Sequence, residues 1–137
     1  MNVLFFWEPV GGLTLEHRCN PYAGLLDRAL HSHDVHLTLG DDAFSPEWLE
    51  AQRATHDVIH LNWLHAFYRR QDLESTVAAC HDFAESLHVA KRLGYRIVWT
   101  VHNLYPHERP FPKVDHMARL LVADHADVVL AHCAHAA

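Results

Sequence analysis

The stretch Arg96-Ile97-Val98-Trp99-Thr100-Val101-His102-Asn103-Leu104-Tyr105-Pro106-His107-Glu108 decides the fold class. An apolar run stops abruptly at His102-Asn103, and proline, histidine and glutamate follow. A continuous apolar run of this length is the pattern of a parallel strand buried on both faces. Its carboxyl end delivers polar groups to the rim of the sheet. In open α/β sheets, ligands bind in the crevice outside those carboxyl ends.

Working outward, similar strands are expected at residues 2–7, 35–39, 57–62 and 127–132. The second differs from the rest, because His36 and Thr38 alternate with apolar residues. Helices are expected at 21–32, from Ser45 onward as a short turn with Pro46 at its first position, at 73–93 and at 114–123. Ser45 is a natural N-cap, and Gly94 a natural C-terminal stop for the long helix. The apolar stripe of that helix is read as Leu73, Val77, Cys80, Ala84, Leu87 and Ala90. Residues 63–71 read as a loop. Strands alternating with helices predict a parallel sheet with right-handed crossovers, a three-layer α/β/α fold. The expected strand order is 3-2-1-4-5. That order places the switch point between strands 1 and 4, so that Gly11-Gly12 and His102-Asn103 face each other across one crevice.

Composition narrows the function classes. The chain has 137 residues, half of them apolar, which suits one domain spanning 1–137. Its formal charge of −6 argues against a nucleic-acid partner. No window approaches the roughly 20 apolar residues of a membrane span. Residues 1–7 run straight into Glu8-Pro9 and read as a strand, not a signal peptide. Cys19, Cys80 and Cys133 form no Cys-x-x-Cys pair, and a reduced cytoplasmic setting is expected.

Four groups of residues are candidates for chemistry. Gly11-Gly12 follows the first strand without forming a dinucleotide fingerprint or a Walker loop. Two glycines permit close backbone approach to a ligand; a tight turn explains them equally well. His102 can donate to a hydroxyl or phosphate oxygen, or exchange a proton near neutral pH, and Asn103 offers a donor and an acceptor. A core histidine and a loop cap are the alternative reading. Glu108 is a candidate general base, with His107 beside it as a ligand contact; Glu8, Asp41 and Asp42 are rivals, and a solvated loop carboxylate is the plainer explanation. Asn62 and Trp63 end the third strand, where Trp63 can stack on a sugar ring or simply pack. Tyr68, Arg69 and Arg70 are placed to meet a phosphate, or form a solvated basic loop. Fifteen histidines invite a metal site at His31-x-His33 or His132-x-x-His135, but no Cys/His constellation accompanies them, and none is assigned.

Three segments together resemble the amino-terminal half of a GT-B glycosyltransferase, of the group-one (family-four) type found in bacterial polysaccharide assembly. They are Asp57-Val58-Ile59-His60-Leu61-Asn62-Trp63, then Ala90-Lys91-Arg92-Leu93-Gly94 leading into Ile97 to His107, and Ala126-Asp127-Val128-Val129-Leu130-Ala131-His132-Cys133. The resemblance implies a Rossmann-like domain that binds a sugar or lipid-linked acceptor at the inner membrane face. A second domain, or a partner chain, holds the nucleotide-sugar in such enzymes, and no cofactor is expected on this half. The resemblance points the histidine matching His102 into the interdomain cleft and brings the Gly11-Gly12 loop close to it. The donor-binding half has no counterpart in this sequence. The isolated chain is therefore expected to be incompetent for transfer and to associate with a partner or with itself. A non-catalytic binding or assembly module is the competing expectation.

Overall fold

A computed structural model describes residues 1–7, 21–40, 44–103, 105 and 108–132. Five strands, β1 (Asn2–Phe6), β2 (His36–Leu39), β3 (Val58–Leu61), β4 (Arg96–Val101) and β5 (Val128–Ala131), form one all-parallel sheet. The helices are α1 (Tyr22–His31), α2 (Pro46–Gln52), α3 (His65–Tyr68), α4 (Leu73–Arg92) and α5 (Pro112–His125). Side chains alternate across the pleat and so divide the core in two. Val3, Phe5, Trp7 and Val58 pack with Ala23 of α1 on one face. Leu4, Phe6, Ile59, Leu61, Ile97 and Trp99 pack with residues of α2, α3, α4 and α5 on the other. The architecture is the expected Rossmann-like α/β/α sandwich.

The strand order is β2-β1-β3-β4-β5, not 3-2-1-4-5. Burial explains the difference. Every residue of β3 is buried, whereas β2 alternates exposed and buried positions. A strand with that alternation belongs at a sheet edge, and a continuously buried one belongs in the interior. The switch point consequently lies between β1 and β3, and β3 separates β1 from β4.

Two local readings also change. Residues 65–68 are helical, and Tyr68 of α3 reaches Asp115 of α5 through a 2.6 Å hydrogen bond from its hydroxyl. Asp115 is buried and also takes the Arg69 guanidinium at 3.3 Å, tying the two helices together. In α4, Leu73 and Val77 are exposed, and the buried side is made by Thr76, Phe83, Ser86, Leu87, Val89 and Ala90. Thr76 is drawn in because its hydroxyl accepts the Arg70 N–H at 3.1 Å. Asp72 caps the helix through Ser75 N–H at 2.9 Å. Gly94 ends it at φ +83°, a conformation that side-chain-bearing residues rarely adopt.

Asp127 pins the outer end of the sheet. Its carboxylate accepts from Lys91 Nζ at 2.7 Å, Arg96 Nη1 at 3.0 Å and the Ile97 backbone N–H at 2.8 Å. Burial works against its charge, but these donors prevail and hold its pKa down to about 2. Beyond it, β5 stands open: Val128, Val129 and Leu130 are 46%, 49% and 44% exposed. The Arg96 arm is mostly in solvent and contributes little. The bonds to Ile97 and Lys91 are the ones that matter, so Asp127→Ala should lower unfolding free energy by about 1–2 kcal/mol. Urea denaturation measures this; an unchanged midpoint would show that β5 is held by other contacts.

Candidate functional site

The carboxyl ends of β1, β3, β4 and β5 gather an aromatic and histidine cluster. The α1-facing alternation that buries Phe5 carries Trp7 to the same rim. Val101 pairs with Ala131, so His102 and His132, each one residue further, lie side by side. Trp63 stacks on the His102 ring with centroids 4.6 Å apart. Trp7 meets His102 edge-on at 5.3 Å, and Tyr22 does so at 5.0 Å.

Hydrogen bonds orient this cluster. Asn62 Nδ2–H donates to the Phe6 carbonyl at 2.9 Å. Its Oδ1 therefore faces His102 Nε2, 2.9 Å away, and that nitrogen must carry the proton. In the neutral ring Nδ1 is then an acceptor, and it lies 3.2 Å from His132 Nε2. Below, the buried His60 shares a 2.8 Å hydrogen bond with the Thr100 hydroxyl. Burial, reinforced by His132, lowers the His102 pKa to about 4; burial, reinforced by His102, does the same to His60. Both rings are thus neutral at physiological pH.

Beside His102 opens a small crevice lined by Asn62, Trp63, Leu64, His65, Trp99, Thr100, Val101, His102, Asn103 and Arg119. Burial and the Arg69 and Arg119 charges depress the His65 pKa. The indole N–H groups of Trp7 and Trp63 are buried with no acceptor among the described residues. A buried donor without a partner is costly, and a ligand oxygen would satisfy it.

Four of the expected site residues, Asn62, Trp63, His102 and Asn103, therefore line one crevice. Glu108 is exposed and does not line it. Gly11, Gly12 and His107 lie outside the described residues, as do Glu8, Asp41 and Asp42. Trp7, Tyr22, His65, Thr100, Arg119 and His132 join the site without having been assigned to it. The run Val128-Val129-Leu130-Ala131-His132 repeats the strand-then-histidine pattern of Val98 to His102, a signal from which His132 could have been found. Among the described residues, no three His, Cys, Asp or Glu side chains converge as metal ligands. None of the helices described is long and apolar enough to cross a membrane.

No protein-family model matches the sequence, and neither a curated protein nor a solved structure is significantly similar to it.

The two neutral histidines have a measurable consequence. Their folded pKa of about 4 lies below the ordinary 6.5, so the unfolded chain binds more protons between those values. Their contribution is complete above about pH 6.5 and is lost as pH falls towards 4. The urea midpoint should accordingly drop between pH 7.5 and pH 5, and His60→Gln should reduce that drop. A midpoint that holds steady or rises on acidification would contradict the neutral assignment.

Proposed function

We propose that this chain is the acceptor-binding half of a nucleotide-sugar-dependent glycosyltransferase, with the donor held by a second domain or a partner chain. The observation that carries the reading is the Trp63–His102 stack beside an open crevice, with buried indole donors at Trp63 and Trp7 that meet no acceptor among the described residues. Sugars offer an apolar ring face for aromatic stacking and hydroxyl oxygens for such donors. Asn103 adds a further donor and acceptor at the same rim. The crevice lies outside the carboxyl ends of β3 and β4, beside the β1/β3 switch point, where α/β sheets bind ligands. The sequence resemblance supplies the reaction class. A lipid-linked acceptor, and the cytoplasmic, membrane-peripheral location that goes with it, rest on the sequence resemblance, since in the Phe67-Tyr68-Arg69-Arg70 segment Tyr68 and Arg69 are engaged with the buried Asp115 and Phe67 packs on the core.

Glu108, the general-base candidate, is exposed and is not among the residues that line the crevice. Both ring nitrogens of His102 are engaged within the protein, so His102 acts through the network it holds.

The second reading, a non-catalytic binding or assembly module, draws on the open apolar edge of β5. The two readings part on one experiment. In the transferase that contains these residues, His102→Ala should reduce sugar transfer by about 100-fold or more while the circular dichroism spectrum is retained. Transfer at the wild-type rate in that variant would remove His102 from the reaction, whereas a stable assembly that transfers nothing would favour the module.

A further inference from the structure

We propose that His132, at the end of β5 and hydrogen-bonded to the crevice-lining His102, is a proton-exchanging residue at the rim beside the crevice, and that His102 and Asn62 are the positioning residues that aim it. The inference rests on the transferase reading for its reaction, but its geometry stands independently.

The direction of the chain follows from one backbone oxygen. The Phe6 carbonyl can only accept, so the Asn62 amide nitrogen faces it and the amide oxygen faces His102. His102 spends its single proton on that oxygen, and its Nδ1 accepts from His132 Nε2–H. The neutral His132 ring then carries its lone pair on Nδ1, for which no partner is present among the described residues. His132 is exposed, whereas His102 is only partly so. Among the described residues, the ionisable groups facing His132 are His102, one residue past β4, and Tyr22 of α1, whose ring stands perpendicular at 5.5 Å.

This arrangement suits a general base. In transfer, a bond forms between the acceptor hydroxyl oxygen and the anomeric carbon of the donor sugar. The bond from that carbon to the phosphate oxygen breaks, and the nucleoside diphosphate leaves with the electron pair. The hydroxyl proton passes to His132 Nδ1. The resulting imidazolium donates to a neutral imidazole, a charge-assisted hydrogen bond. His102 does not take the proton on, because burial disfavours its charged form.

Long-range proton–nitrogen NMR of the histidine-labelled chain tests the geometry without any substrate. The expected spectrum shows His102 as the Nε2–H tautomer, neutral at pH 5, with His132 also Nε2–H at neutral pH. Asn62→Ala should return His102 to a tautomer mixture. His102 found as the Nδ1–H tautomer, or protonated at pH 5, would overturn the relay whatever the protein's function. In the transferase, His132→Ala should lower kcat by about 100-fold with KM little changed. If the spectrum is as expected and transfer proceeds at the wild-type rate in that variant, His132 is not the base.

Discussion

A single hydrogen bond, from Asn62 Nδ2 to the Phe6 carbonyl, sets the polarity of the crevice. It joins the ends of β1 and β3, the two strands between which the sheet's connections reverse. A carbonyl at that point needs a donor once the regular ladder ends. Asn62 supplies it with a side chain and leaves its own oxygen pointing towards β4. Every later assignment follows from that orientation: the proton on His102 Nε2, the acceptor at Nδ1, the proton on His132 Nε2. A carboxylate at position 62 could not donate to Phe6, and a leucine could neither donate nor accept.

Low polarity around the relay makes it one-directional. Phe5 packs edge-on against His60 at 5.0 Å, and Trp7, Trp63 and Tyr22 surround His102. In such surroundings a charge is expensive, whereas a hydrogen bond between neutral groups is strengthened. The two inner histidines therefore behave as fixed dipoles, and the outer one meets solvent. The same aromatic rings that shield His102 from water also set its orientation.

Much of the fold was legible in the sequence. The five strands and the four longer helices stand where apolar runs, Ser45, Pro46 and Gly94 place them, because those signals are local. Strand order differs from the expected 3-2-1-4-5, although the alternation of His36 and Thr38 marks an edge strand. The four-residue helix α3 has no periodic pattern to read, and the Tyr68–Asp115 contact that fastens it joins residues far apart in the chain. Thr76 was missed on α4 because a polar residue is drawn inward there by a bond to Arg70, which hydrophobic periodicity ignores. At the site, Asn62, Trp63, His102 and Asn103 were readable because polar or aromatic residues stand at the ends of apolar runs. Trp7 was hidden by counting as part of its strand. His132 reads in the sequence as a candidate metal ligand, and Tyr22 reaches the cluster through tertiary packing.

The central claim is that the rim beside His102 is a sugar-binding face. Indole proton–nitrogen correlation spectra of the chain, titrated with a panel of methyl hexosides and short oligosaccharides, test it most directly. Four tryptophans give four indole signals. Saturable shifts of the signals of Trp63 and Trp99, the two tryptophans that line the crevice, with that of Trp48 smaller, are the predicted result. Equal and unsaturable drift of all four, across the whole panel, would contradict it.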